Sequence, residues 1–217
     1  MKIQWLGHAS FLLTSDSGAR IITDPYTPGA FGLDYAPVAA EADIVTVSHE
    51  HADHNDVAGV KGKPQIIRGA GAHEAKGIRF KGVATYHDES TGSQRGENTM
   101  FCFAVDGVNV CHLGDLGHAL DDRAVAEAGP VDVLLVPVGG NFTIDAAVAD
   151  RVCDKLKPKV VIPMHFQNDR CPNFPVTGVD DFVALRSSVK RIDGSEVTVR
   201  KEDLPATVET VVLRPAR

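Results

Sequence analysis

The sequence is short of several things. It has four cysteines, Cys102, Cys111, Cys153 and Cys171, and no C-x-x-C pair among them. In a chain without a secretory signal such cysteines are expected to be reduced and mostly buried. No apolar run is long enough to span a bilayer, so no membrane partner is expected. The first residues, Met1-Lys2-Ile3-Gln4-Trp5-Leu6-Gly7-His8, lack the layout of a signal peptide, because the apolar stretch is short and soon meets a histidine. A cytoplasmic location is the expectation. There is no block of lysine and arginine, and the formal charge is −7, which argues against a broad nucleic-acid footprint. The local cluster of Arg68, Lys76, Arg79 and Lys81 reads as solvated surface. Linkers, low-complexity stretches and clean internal repeats are also missing. At 217 residues, the length suits one domain over 1–217 with a substantial core.

What is present is concentrated in one place. The apolar run Asp43-Ile44-Val45-Thr46-Val47-Ser48 leads directly into His49-Glu50-His51-Ala52-Asp53-His54. Three imidazoles and a carboxylate at this density repel one another once the imidazoles are protonated. Kept neutral in a dry interior, they still need many hydrogen-bond partners. A metal ion resolves both difficulties, since it binds neutral imidazole and ionised carboxylate together.

The rest of the chain repeats a rhythm of short apolar strands followed by polar loops. Strands are expected at Leu12-Leu13 and at Ile21-Ile22-Thr23, joined by the turn Ser15-Asp16-Ser17-Gly18. Others are expected at Ile44–Val47, Val83–Tyr86, Val131–Val136 and Val160–Ile162. Met100–Val105 and Val108–His112 flank Asp106-Gly107, a strong two-residue hairpin signal. A helix over Asp145–Lys157 places Val148, Val152 and Leu156 on one face, with Thr143 or Asp145 as its cap and Pro158 as its stop. Two more helices are expected over Val179–Val189 and Leu120–Ala128. Glu196–Arg200 and Thr207–Leu213 alternate like edge strands. Asp24, His49, His87, Asp115 and His165 each lie just past the end of a predicted strand, so packed sheets can gather them at one rim.

The pattern H-x-H-x-D-H resembles the metal-binding signature of the metallo-β-lactamase superfamily. The resemblance implies an αβ/βα sandwich of two mixed sheets with helices outside. It continues at Thr85-Tyr86-His87, at His112-Leu113-Gly114-Asp115 and at Pro163-Met164-His165. It further implies that His49, His51, His87 and Asp115 hold one divalent metal and that Asp53, His54, His165 and Asp115 hold another. Trp5-Leu6-Gly7-His8-Ala9-Ser10 and Gly96-Glu97-Asn98-Thr99 look like a branch of small hydrolases similar to ascorbate-6-phosphate lactonase and, more distantly, to N-acyl-phosphatidylethanolamine phospholipase D. Asp115 stands where the best-known true lactamases carry cysteine, which makes β-lactam hydrolysis an unexpected main activity. The long insert of the RNA-processing branch has no room here.

The resemblance implies a hydrolase in which two metals roughly 3.5–4 Å apart activate a bridging water to hydroxide near neutral pH. Asp53, a ligand, would also orient that nucleophile or accept its proton. An all-nitrogen-and-oxygen ligand set suits zinc first, with manganese, iron or nickel as alternatives. Asp24 is read as hydrogen-bonding the free ring nitrogen of a ligand histidine, or else as capping a turn. His8 either lines the pocket or is a hydrogen-bonded core histidine. Arg95 either binds an anionic substrate group or is a solvated loop residue. His112 is read as a satisfied core position. The expected substrate is a small molecule with an ester-like bond, first of all a lactone. A phosphodiesterase or nuclease, and an inactive metal-binding scaffold, are the rivals. A homo-oligomer is compatible with the sequence.

Overall fold

The structure, a computed structural model, describes residues 1–216. One sheet contains β1 (Lys2–Gly7), β2 (Ser10–Thr14), β3 (Arg20–Thr23), β4 (Glu41–Val47), β5 (Lys61–Arg68) and the short β13 (Glu196–Thr198), in the order β13-β1-β2-β3-β4-β5. The other contains β6 (Gly71–Ala75), β7 (Ile78–Tyr86), β8 (Glu97–Val105), β9 (Val108–His112), β10 (Val133–Pro137), β11 (Val160–Met164), β12 (Val189–Arg191) and β14 (Glu209–Val212), in the order β12-β14-β11-β10-β9-β8-β7-β6. Both sheets are mixed. The β1-β2-β3 ribbon is antiparallel while β3-β4-β5 is parallel, and β9-β10-β11-β14 is parallel while β6-β7-β8-β9 is antiparallel.

Side-chain alternation explains the layering. In β4, Ile44 belongs to the core between the sheets, whereas Val45 and Val47 join Leu6, Ile22, Tyr26 and Tyr35 in a second cluster. Both faces of this strand are therefore buried, which is why its sequence is nearly continuous in apolar residues. Between the sheets, Trp5, Phe11 and Ile21 from the first meet Phe101, Val110, Leu135 and Ile162 from the second. No helix among the described residues is long and apolar enough to cross a membrane.

The helices α1 (Asp122–Ala128), α2 (Ala146–Leu156) and α3 (Asp180–Val183) complete the chain. Of the two candidate caps for α2, Asp145 does the work, accepting from the Val148 amide at 2.8 Å. Val152 and Leu156 are buried, each contributing about 1.5–3 kcal/mol relative to exposure. The third helix is shorter than the expected Val179–Val189. Phe182 anchors one turn, but Val189 pairs with Thr210 of β14 and the Ser188 carbonyl accepts from the Thr210 amide. A β-branched residue with a strand beside it gains more from the ladder than from another helical turn. The same pairing makes β14 an interior strand rather than the expected edge. β13 does lie at an edge. Strands β1, β5 and β6 were not expected from the sequence.

Candidate metal centre

The strand ends converge because β3, β4, β7, β9 and β11 all finish at one rim. Asp24 follows β3, His49 follows β4, His87 follows β7, Asp115 lies three residues past β9, and His165 follows β11. His8 occupies the turn between β1 and β2. His8, Asp24 and His165 all have positive φ, of 51°, 38° and 53°. Non-glycine residues adopt this conformation rarely and at a cost, and it is commonest where a site dictates the backbone.

Asp115 is the focus. Its Oδ2 lies 3.1 Å from His54 Nε2, 3.3 Å from both His87 Nε2 and His165 Nε2, and 3.9 Å from His49 Nε2. Around it the nitrogen and oxygen donors separate into two main groups, each with its atoms within 4.8 Å of one another. One group is His49, His51 and His87, and the other is Asp53, His54, His165 and His8. A third set joins Asp24 to His49 and His54. The first two sets divide the histidines and Asp53 as the resemblance implies, with His8 added to the second, while Asp115, which the resemblance gives to both, is in neither set.

The supporting hydrogen bonds fix the tautomers. Asp24 accepts from the backbone amide and the hydroxyl of Ser48, and its Oδ2 lies 2.9 Å from His54 Nδ1. An ionised carboxylate only accepts, so His54 donates from Nδ1 to Asp24, and Nε2, the nitrogen facing Asp115, is the one left for a cation. The Ser48 hydroxyl, having donated to Asp24, accepts from His49 Nδ1 at 2.9 Å. His49 therefore carries its proton on Nδ1, and its Nε2 accepts from His51 Nδ1 at 3.1 Å. His8 Nε2 is 3.1 Å from Asp53 Oδ2 and its ring sits 4.2 Å from that of His165. Asn98 ties the second sheet to the site by donating to Thr85 Oγ1 and the Leu113 carbonyl and accepting from the Asp115 amide. Gly114, φ 55°, is required here, because a Cβ would collide with Asn98 Oδ1 and Ser48. His112 is fully buried, with Nε2 2.8 Å from the Ala9 carbonyl, and takes no place in the cluster.

The electrostatics ask for positive charge. Burial pushes the Asp115 carboxyl up, but His165 and His54 outweigh it and hold it well below its ordinary range. Burial likewise opposes ionisation of Asp24 and Asp53, and His112 and His54 for the one, His54 and His8 for the other, still bring both carboxyls down. Burial lowers His49 to about 3, helped by His54, and lowers His8 to about 4, helped by His165. His54 alone is raised, since the Asp115 and Asp53 carboxylates overcome its burial. Three buried carboxylates thus share one cluster with the imidazoles, and no lysine or arginine pairs with any of them among the described residues. Asp53 Oδ1, His54 Nε2, His87 Nδ1, Asp115 Oδ1 and His165 Nδ1 are buried without a hydrogen-bond partner. Such orphaned atoms are costly in a folded protein and fit a site built for cations.

A cavity of about 440 Å³ opens over the cluster, walled by Phe31, Phe142, Phe174 and Pro175 and floored by His51, Asp53, His87, Asp115 and His165, with Arg95 at its side. Asp24 and His8 lie beneath and behind this floor rather than in it. Ser48, Asn98, Phe142 and Phe174 were not singled out from the sequence. Only Asn98 had a signal, as part of Gly96-Glu97-Asn98-Thr99.

Residues 2–165 match the model of the β-lactamase superfamily domain. The chain belongs to that superfamily. Within it, the chain is 33% identical over 208 residues to a UPF0173 metal-dependent hydrolase of Carboxydothermus hydrogenoformans, covering 83% of this chain and 88% of that one. A second such hydrolase, from Methanoculleus marisnigri, is 33% identical over 192 residues, 76% of this chain and 81% of its own length. Among solved structures, a candidate Zn-dependent hydrolase of the metallo-β-lactamase superfamily from Thermotoga maritima superposes with a TM-score of 0.81 at 40% identity, covering 98% of this chain and 97% of that one. The family fold is thus the αβ/βα sandwich described above, and these relatives are described as metal-dependent or Zn-dependent hydrolases.

Proposed function

We propose that this chain hydrolyses an ester-like bond, first of all a lactone, in a small molecule, and that its cluster holds two divalent cations. His49, His51, His87 and Asp115 would hold one, and Asp53, His54, His165 and Asp115 the other. The observation that carries this reading is Asp115 Oδ2 lying within 3.9 Å of four imidazole nitrogens that belong to two separate donor groups. Zinc is favoured by the nitrogen-rich donor set and by the described dependence of the Thermotoga relative. Two such cations would supply Lewis acidity toward a substrate carbonyl and would lower the pKa of water at the site toward neutrality.

The chain's own residues do the rest. Asp53 lines the cavity floor, and besides holding a cation its carboxylate would orient an attacking water or take its proton. Neutral His8 donates to Asp53 Oδ2, which keeps the carboxylate turned in one direction. Asp24, through His54 and Ser48, holds two ligand imidazoles with their Nε2 atoms inward. The aromatic walls exclude bulk water and leave space for a small organic body. The lactone reading rests on the resemblance of Trp5–Ser10 and Gly96–Thr99 to lactonase-like hydrolases. Reconstitution with zinc, followed by assay on matched lactone, thioester, phosphodiester and β-lactam substrates, tests it. Fastest turnover of the lactone supports the reading, and metal-dependent turnover confined to phosphodiesters replaces it.

A further inference from the structure

Arg95 differs from the other arginines of the chain. Arg20, Arg68, Arg79, Arg123, Arg186, Arg191, Arg200 and Arg214 each form an ion pair. Of the described arginines without one, Arg151 and Arg170 are exposed, where water solvates the charge, while Arg95 is half-buried. Its guanidinium carbon lies 5.6 Å from the centroid of the Phe142 ring, over a residue of the cavity wall. A partly desolvated guanidinium resting on an aromatic face is a cation kept without its anion.

The loop that carries it is built to hold it there. Asp88 follows His87 and is buried, yet it takes no cation. Its Oδ1 accepts from the amides of Ser90 and Gly92 at 2.7 and 2.9 Å, and its Oδ2 from those of Gln94 and Arg95 at 2.9 and 2.7 Å. The base of the loop closes where the His87 amide donates to the Gly96 carbonyl at 3.0 Å. A carboxylate satisfied by four backbone amides fixes the path of residues 88–96, so the loop cannot flex freely away from the site. One end of this rigid loop is the cluster residue His87 and the other is Arg95, and both face the same cavity.

From this we infer that Arg95 determines specificity: the substrate is a small organic anion whose carboxylate or phosphate group pairs with the guanidinium while its apolar body lies on Phe142 and Phe174. The planar fork of arginine matches both anions through two parallel hydrogen bonds. The aromatic walls favour a substrate with an apolar part beside its charge. The identification of the anion as substrate rests on the hydrolase reading above, but the binding itself does not.

Calorimetric titration of the metal-loaded protein with benzoate, phenylphosphonate and the neutral benzyl alcohol tests it, using the wild type, Arg95→Met and Arg95→Lys. Methionine keeps the packing on Phe142 and removes the charge. The expected result is a loss of about 10–100-fold in anion affinity in Arg95→Met, the worth of one charge-assisted pair. Arg95→Lys should recover part of it, and benzyl alcohol should bind all three proteins alike. The stronger of the two anions names the group that the substrate carries. Failure of both anions to bind the wild type, equal anion affinity in Arg95→Met, or an equal loss for benzyl alcohol would each overturn the inference. Arg95-dependent anion binding by a protein with no hydrolytic activity would instead leave it standing and refute the hydrolase reading alone.

Discussion

Asp24 and His54 are both fully buried, and Oδ2 of the one lies 2.9 Å from Nδ1 of the other. The same carboxylate also receives the Ser48 amide and hydroxyl, so one residue at the end of β3 sets two imidazoles in the cluster. Asp24→Asn keeps the volume but puts an amide donor where an acceptor is needed. Loss of such an outer partner typically weakens metal binding 10–100-fold. Competition with a chelator should show a fall of about that size, and unchanged affinity would detach Asp24 from the site.

Asp53→Asn separates chemistry from folding. The carboxylate faces the cavity and pairs with His8. A positioned proton acceptor contributes about 10²–10⁴-fold, so turnover should drop by at least that order while thermal unfolding with excess metal stays close to wild type. Near-normal turnover would make Asp53 a bystander.

Gly114→Ala should fold poorly. The position has φ 55° and its Cβ has no room beside Asn98 and Ser48. Backbone strain of this kind costs about 1–3 kcal/mol before any clash is counted. Chemical denaturation should report a loss of at least that size, together with weaker metal binding, because the neighbouring Asp115 moves with it.

Stripped of metal, the protein should lose stability on acidification. His8 and His49 are lowered to about 4 and about 3 by burial, against about 6.5 in the unfolded chain. Between these values the unfolded state binds protons that the folded state refuses, so stability falls as pH drops from about 6.5 toward 4. His54 is shifted the other way and contributes stability below 6.5 that is lost as pH rises through its raised folded value. Unfolding temperatures recorded in chelator across this range should fall toward pH 4. A flat profile would mean that these imidazoles are solvated.

The sequence carried the cluster well because its ligand-type residues sit where apolar runs stop, and a strand end is a local signal. His49, His87 and His165 were all legible in that way. Asp24 was read as holding a ligand imidazole, and its carboxylate is found against His54 Nδ1. His8 was left between two readings, since its contact with Asp53 spans 45 residues. Asn98, in β8, reaches Thr85 in β7 and Leu113 and Asp115 in the loop after β9, and no spacing encodes that. The aromatic walls come from separate loops around Phe31, Phe142 and Phe174, so their convergence appears only in three dimensions. The β12–β14 pairing was missed for the same reason, and the expected third helix was overlong as a result.

The most direct test of the account is the metal content of the purified protein reconstituted with zinc, measured beside Asp115→Ala. If Asp115 joins two donor groups, the wild type should saturate at about two ions per chain, and the variant should lose affinity at both sites together. A folded wild-type protein that binds no metal would contradict the whole reading, and a variant that still binds two ions as tightly would contradict the bridging role of Asp115.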